Sequence, residues 1–514
     1  MAVKTFAAVS IGSAVTEMKI FEFTQRRVMR EIECISTRIN LGLDVYEQGR
    51  ISREHVDELC AVLNDFKRTM SGYRVDAYRV FATSAFRESR NRAMLCDYIE
   101  KQTGLDIDVF TNAEQRFVDY QALASVSSEF ETIIQNATAI VDISASSMQI
   151  SLFDKDKLIT TQNIRVGNVT TREKVLPLSK NNEHFEKLVK ELMDYELAGF
   201  AKLYQKDRKI RNLVVVGGSL NEIMLQMEQE ESKIPSLTKE QFEIGYQNMI
   251  GLTPEQIAEK YGLPSDMTEA IVPSAIFCRC LMESFGVDVV WMAGFSQNDG
   301  VAYDYGVRMG LITRRHSFDE DILAAARSIS KRYKTSQTHI RNIGDIAVQI
   351  FDRMKKVHGL GARERLLLQI AVILHSCGKF ISLTDVSDCA YNIILATEII
   401  GLSQEEQLIV AYTVKYNTSS FVYYDELETK TDLDENQYMV VAKLTAILRI
   451  ANVLDRTHRQ KCKNVSVTLK EHELKISVAS QEDISLERGA FNEKVDFFEE
   501  VFNVRPVLKQ KKTL

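Results

Sequence analysis

The stretch with the clearest chemical potential is TAIVDISASSMQIS, Thr138 to Ser151. An apolar run, Ala139-Ile140-Val141, ends on one acid, Asp142. A turn of small residues follows, Ser144-Ala145-Ser146-Ser147. Backbone N–H groups and hydroxyls in such a turn can receive a phosphate. The carboxylate can hold a divalent cation, directly or through water. An ordinary hairpin with a surface aspartate would read the same way. Two other stretches share this ambiguity. Thr83-Ser84-Ala85-Phe86-Arg87-Glu88-Ser89-Arg90-Asn91-Arg92 sets hydroxyls and arginines at a helix start, either an anion site or a solvated face. Gly217-Gly218-Ser219 follows Val214-Val215-Val216 and allows either close backbone approach to a ligand or a sharp turn.

These groups need elements to hold them. Alternation through Met148-Gln149-Ile150-Ser151-Leu152-Phe153 makes the first stretch a strand, a tight turn and a second strand. Residues 4–22 repeat the logic about 130 residues earlier. Phe6 to Val9 and Glu17 to Phe21 flank a turn at Gly12-Ser13, and Ser10 stands where Asp142 stands. This spacing predicts a duplicated architecture. Strands at Asp76–Ala82, Asp106–Phe110 and Asn212–Val216, with helices at Ser52–Ser71, Asn112–Ser127 and Glu183–Tyr204, predict an α/β region to about residue 312. From Ser317 the pattern turns helical, with capping boxes at Ser317-Phe318-Asp319-Glu320 and Ser403-Gln404-Glu405-Glu406. Apolar spacing predicts helices through Ile340–Met354, Leu366–His375 and Met439–Asp455. After residue 464 two strands, a short helix at Glu493–Val501 and a solvated basic tail, Lys509 to Lys512, are expected.

Composition narrows the class. A chain of 514 residues with 45% hydrophobic residues and 6 prolines is expected to fold into three or four domains. A net charge of −7 argues against non-specific nucleic-acid binding as the main activity. The 8 cysteines include no CxxC pair, which points to structural thiols in a reducing cytoplasm. No apolar run reaches about 18 residues, and MAVKTFAAVSIG lacks the parts of a signal peptide, so neither a membrane span nor a leader is expected.

Taken together, AAVSIGSAVTEMKI (7–20), FATSAFRESRNR (81–92), TGLDIDVFTNAEQRFVDYQAL (103–123), AIVDISASSMQISLF (139–153), VVVGGSLNEI (214–223) and GFSQNDGVAYD (294–304) resemble the Ppx/GppA phosphatases, the exopolyphosphatases and guanosine pentaphosphate phosphohydrolases. His339, ILHSCGKFIS (373–382) and LRIANVLDRTH (448–458) resemble an HD-type module. The resemblance implies two ribonuclease-H-like domains of the actin and sugar-kinase type (1–124 and 125–312), an HD-like helical domain (313–463) and a small C-terminal α/β domain (464–514). It implies cleavage of a terminal phosphoanhydride, with Mg²⁺ held by carboxylates and a glutamate activating water. A polyphosphate or guanosine penta- or tetraphosphate ligand, a homodimer, no membrane and no sequence-specific nucleic acid also follow from it.

The resemblance also marks departures. Ser10 replaces an acid of the first turn, Gln149 an acid of the second, and Gln115 the catalytic base. Asp142 keeps its acid, so Mg²⁺ binding is expected to be weakened. Arg87 keeps the phosphate-contacting arginine, and the phosphate turns comprise Gly12, Ser13, Ser144, Ser146, Ser147, Gly217, Gly218 and Ser219. Glutamine has the shape of glutamate but no useful basicity, and a general base contributes about 10²–10⁴-fold. Glu114 and Asp119 are candidate substitute bases. Asp119 shares the helix face of Gln115, with a surface acid as its bland role, while Glu114 points about 100° away. In the helical module His339, His375 and Asp455 remain as a degenerate metal set, and a core histidine is the favoured reading of His375. Three functions follow: a binder with lost or reduced hydrolysis, an active hydrolase with an altered base, and an interaction scaffold.

Overall fold

A computed structural model describes residues 3–511 except 25–26, 127–128, 156, 217–218, 226–234, 264–267, 295, 314–315, 398, 428–430 and 432. The chain forms two compact units, Met1–Ser317 and Phe318–Leu514.

The first unit contains two sheets built to one plan. In the first, β1 (Lys4–Ile11) pairs with β2 (Val15–Phe23), which pairs with β3 (Met29–Arg38). On its other side β1 runs parallel to β4 (Ala77–Ala82), and β4 to β5 (Ile107–Val109). In the second, β6 (Thr138–Ile143), β7 (Met148–Asp154) and β8 (Lys157–Ile164) form the antiparallel run. Then β9 (Asn212–Val216), β10 (Ser236–Thr238) and β11 (Val289–Ala293) complete the order β10-β11-β9-β6-β7-β8. Read from β3 and from β8, both sheets give third, second, first, then two parallel strands, and the second adds β10, antiparallel to β11, at its far edge. The expected duplication is present at the level of strand order.

Period-two alternation assigns each sheet two faces. Ala7, Val9, Ile11, Met18 and Ile20 pack under the helix Arg53–Gly72, whose Leu59, Leu63 and Phe66 are fully buried. That helix is capped by Ser52, whose hydroxyl accepts from the His55 N–H. Val141, Ile150 and Val215 pack with the helices Asn182–Phe200 and Ile271–Phe285. The opposite faces carry the polar residues, and helices Asn112–Val126 and Gln297–Arg308 run beside them. Tyr305 stacks on Phe6 at 4.2 Å, and Tyr120 meets Phe153 edge-on at 5.2 Å. Where the two helices touch, a Cβ on Gly300 would lie 2.1 Å from the Val118 carbonyl oxygen. Only glycine permits that approach.

In the second unit the helix Gln337–His358 buries one stripe, from Ile340 and Ile343 to Phe351 and Met354. Helices Ala362–Leu374, Gln404–Lys415 and Glu435–Val453 surround it, and Ser403 and Asp434 form capping boxes. The end of the chain differs from the sequence expectation. The last helix is Ser485–Phe502, eight residues longer at its start than Glu493 suggested. The basic tail is a strand, β14 (Arg505–Lys511), parallel to β13 (Glu473–Ala479), which pairs with β12 (Val465–Lys470). Pro506 and Leu508 face inward, so the lysines occupy the outer face of a strand rather than a free tail. All eight cysteines are free thiols. Among the described residues no helix is long and apolar enough to cross a membrane.

Gly300→Ala should destabilise the first unit by about 1–3 kcal/mol, the usual cost of overpacking. Gly199→Ala, at a helix position with nothing within 4 Å of the new methyl, should stabilise by about 0.5–1 kcal/mol. Thermal unfolding of both variants checks the pair; equal midpoints would remove the close helix contact from the account.

Candidate functional site

The two hairpins place equivalent positions opposite each other. Ser10 faces Glu17 across β1 and β2, and Asp142 faces Gln149 across β6 and β7. Each turn closes with the same bond, Gly12 N–H to Val15 O at 2.9 Å and Ser144 N–H to Ser147 O at 2.9 Å. Each row therefore keeps one acid, on the second strand in the first sheet and on the first strand in the second. Glu17 was not singled out by sequence, although counting back from the Gly12 turn pairs it with Ser10. The Asn298 amide donates to Ser10 Oγ at 3.2 Å and to Glu17 Oε1 at 2.9 Å. Lys19, two residues on, meets Asp299 at 3.0 Å.

The row of the second sheet continues from Gln149 to Asn163 on β8. Gln149 is 1% exposed. Neither polar atom of its side-chain amide has a hydrogen-bond partner. An unsatisfied buried polar group costs about 1–3 kcal/mol, so this position carries polar capacity that the protein itself does not use.

The helix Asn112–Val126 brings Gln115 and Asp119 to this row. Gln115 Nε2 lies 3.5 Å from Asp142 Oδ2, and its Oε1 accepts from Arg87 Nη1 at 3.3 Å. Arg87 also donates to the Phe110 carbonyl at 2.8 Å. The amide thus bridges a guanidinium and a carboxylate. Asp119 is not a surface acid: it is 4% exposed and one carboxyl oxygen has no hydrogen-bond partner. Burial and the neighbouring Asp142 charge push Asp119 well above the usual carboxylate range, against a hydrogen bond from Gln297 and the Arg116 charge. Burial also lifts Asp142 to about 6, opposed by the Ser144 hydroxyl and by the Arg116 and Arg87 charges. Two carboxyl groups in one low-dielectric site cannot both ionise cheaply. Glu114 is engaged elsewhere. It accepts from Thr111 N–H at 3.0 Å and Thr111 Oγ1 at 2.9 Å, while Thr111 Oγ1 accepts from Glu114 N–H at 3.1 Å. This reciprocal cap explains its turn away from the site.

The turn hydroxyls have partners of their own. Ser13 Oγ lies 2.8 Å from Ser84 Oγ. Ser144 Oγ donates to Asp142 at 3.2 Å, and Ser146 Oγ donates to the Glu88 carboxylate at 2.7 Å. Ser147 is buried. Asn168 N–H donates to Ser144 O at 3.1 Å, and Thr170 N–H to Ala145 O at 3.1 Å, so the start of the helix Asn168–Val175 buttresses the turn. Gly217 and Gly218 lie outside the described residues, and Ser219 begins the helix Ser219–Leu225.

In the second unit, His339, His375 and Asp455 come together. His339 Nδ1 lies 2.8 Å from Asp455 Oδ2, and its Nε2 lies 3.3 Å from His375 Nε2. His375 Nδ1 lies 2.7 Å from the Val372 carbonyl, and His458 stacks on His339 at 3.7 Å. Burial, then the His339 charge, pushes His375 down to about 3, so it stays neutral. Burial works against the Asp455 charge, yet hydrogen bonds from His339 and Gln460 hold its carboxyl below the ordinary range. The trio is a hydrogen-bonded relay, its nitrogens turned to protein partners rather than to a shared centre. Among the described residues, in either unit, no three or more His, Cys, Asp or Glu side chains are arranged to hold a metal ion. At Asp142 the reason is the donor set, since Gln115 and Gln149 offer neutral amides where anions would be needed.

Comparison with known proteins places these positions in context. Residues 20–308 match the model of the Ppx/GppA phosphatase family, and residues 323–493 match Ppx/GppA phosphatase, domain III. A guanosine-5'-triphosphate,3'-diphosphate pyrophosphatase of Aeromonas hydrophila is 21% identical over 461 residues, covering 87% of each chain. A bifunctional 3-dehydroquinate synthase/phosphatase of Fusobacterium nucleatum is 20% identical over 54% of this chain and 41% of its own. Among solved structures, the Aquifex aeolicus member of the Ppx/GppA family is similar with a TM-score of 0.51 at 18% identity, covering 62% of this chain and 100% of that one. An exopolyphosphatase from Cytophaga hutchinsonii gives 0.53 at 15% identity over 60% of this chain and 99% of that one. These structural likenesses, over about three-fifths of this chain, support the fold of the two actin-like domains; the helical part is matched by the domain III model, and the small C-terminal sheet is β12, β13 and β14.

The raised Asp142 predicts a pH signature. A carboxyl whose folded value lies above its unfolded value of about 3.9 costs stability once ionised, above pH 6, and that cost fades as pH falls through 6. Asp142→Asn should therefore raise the thermal midpoint most at pH 8 and least near pH 5. A difference independent of pH would mean that Asp142 is ionised without strain.

Proposed function

Because the chain belongs to the Ppx/GppA phosphatase family, we propose that it binds a phosphoanhydride chain, inorganic polyphosphate or guanosine penta- or tetraphosphate, with hydrolysis lost or much reduced. The observation that carries this reading is Gln115, whose amide is fixed between Arg87 and Asp142. A water placed there finds an amide, which cannot take its proton. Neutral side chains at Ser10, Gln115 and Gln149 lower the repulsion that a polyanion meets on entry, while Arg87 and Arg116 supply positive charge. The Aeromonas protein, named for action on a guanosine triphosphate-diphosphate, supports a ligand of that class. Mg²⁺ would come to Asp142 with most of its ligands supplied by water and phosphate oxygens, and its affinity is expected to be low. A homodimer in the cytoplasm fits this reading.

A second reading draws on Asp119. Its burial beside Asp142 gives it a raised proton affinity, and a base works best when its pKa lies near the working pH. On that reading the chain is an active hydrolase whose base has moved one helical turn.

Phosphate release from polyphosphate and from guanosine pentaphosphate, with Mg²⁺, tests both beside a direct binding titration. The expected result is binding with turnover lower by about 10²–10⁴-fold than that of a family enzyme with a glutamate base. Robust turnover abolished by Asp142→Asn overturns the first reading, and its loss in Asp119→Asn would establish the second. Absence of binding to either compound would leave the scaffold reading. Restoring Ser10→Asp, Gln115→Glu and Gln149→Glu together should recover phosphate release if the cleft keeps its geometry.

A further inference from the structure

A cavity lined by none of the residues around Asp142 lies in the first unit, where two helices begin. Helix Leu41–Gln48 ends at Gly49, whose φ of +72° belongs to the left-handed region that favours glycine. Gly49 O accepts the Arg90 N–H at 3.0 Å. The Arg90 side chain folds over the same residue, so that a Cβ on Gly49 would lie 3.2 Å from Arg90 Nε. The chain then passes Arg50 and enters the helix Arg53–Gly72. Asn91, just before the helix Arg92–Thr103, fixes this crossing from the other side. Its Oδ1 accepts the Ile51 N–H at 3.3 Å and its Nδ2 donates to the Ile51 O at 3.1 Å.

The space between has a volume of about 560 Å³. It adjoins a cavity of about 410 Å³, with which it shares Gln48, Arg50, Asn91 and Met94. The two ends differ in chemistry. One end holds the guanidinium groups of Arg50 and Arg90, and neither meets a carboxylate among the described residues. The other end is apolar: Ile51, Val56 and Leu95 are buried beneath it. Met94 is 77% exposed and Tyr98 is 40% exposed at its rim. Tyr98 is oriented by its hydroxyl, which donates to Asp57 at 3.3 Å, and Asp57 lies 3.6 Å from Arg53. The nearby acid is thus committed at the apolar end.

Two unpaired guanidinium groups suit the oxygens of a phosphate ester, which they can meet bidentately. An exposed methionine and tyrosine over an aliphatic floor suit a flat or apolar body. The volume falls within the range of about 300–1,000 Å³ usual for small-molecule sites. We propose that this cavity binds a nucleotide, with its phosphates between Arg50 and Arg90 and its base against Met94 and Tyr98. The site is independent of the phosphoanhydride reading. Asn91 is itself held by Ser89 Oγ, which donates to its Oδ1 at 2.5 Å.

Calorimetric titration of the full chain with ADP and with GDP tests this, with adenosine and inorganic phosphate as the two half-ligands. Binding should be at least tenfold weaker in Arg50→Gln/Arg90→Gln and in Met94→Glu, and essentially unchanged in Arg87→Gln. Each half-ligand alone should bind at least tenfold more weakly than ADP. Circular dichroism checks the fold of each variant, and the exposed Met94→Glu carries the test should the double variant misfold. No binding by the wild type at millimolar nucleotide, binding indifferent to the arginine and Met94 changes, or loss confined to Arg87→Gln would each overturn the proposal. The last outcome would assign the nucleotide to the cleft instead.

Discussion

The first unit depends on the contact of two helices, Asn112–Val126 and Gln297–Arg308, at the Gly300 backbone. The second helix supplies Asn298 to the first sheet and Gln297 to Asp119. The first supplies Gln115 and Asp119 to the second sheet. A close approach held by glycine on one side and a carbonyl on the other leaves little room for sliding. The polar rows of both sheets are therefore registered against each other through a few atoms at one crossing.

The chemistry at that crossing is dominated by what low dielectric does to charge. Asp142 and Asp119 share a buried space with two arginines, and both carboxyl groups are pushed toward the protonated form. Amides at Gln115 and Gln149 avoid adding further charge. An amide is nearly isosteric with a carboxylic acid but lacks its proton affinity. The unsatisfied amide of Gln149 is itself a cost to stability. The helical unit repeats the theme: His339, His375 and Asp455 keep one another's company with no second anion to gather them round an ion.

Much of this was legible from residue pattern. Alternation about Asp142 placed it on a hairpin, and the Gly12-Ser13 turn disclosed the matching one; the register that sets Asp142 opposite Gln149 came from the structure. Helical spacing put Gln115 and Asp119 on one face. What the pattern could not convey was the burial of Asp119, which depends on a helix about 180 residues downstream. Glu17 was missed because its partner relation runs across the strands rather than along the chain. The C-terminal strand was misread because its outer face is lysine-rich and its inward residues, Pro506 and Leu508, are few. The early half of the last helix was hidden by Gly489, although Phe491, Val495, Phe498 and Phe502 carry the buried stripe.

The bond from Ser146 to Glu88 joins the turn of one sheet to the helix of the other. On the phosphoanhydride reading, it occupies a hydroxyl of the very turn that a polyanion would have to reach. A ligand arriving there meets a carboxylate already satisfied by the hydroxyl it would seek for itself. On that reading, access to the turn would wait on the fraction of molecules in which this bond is undone. Its signature would lie in time rather than in strength: a slow, saturating approach to the bound state, set by the protein's own opening and not by how often the two molecules collide.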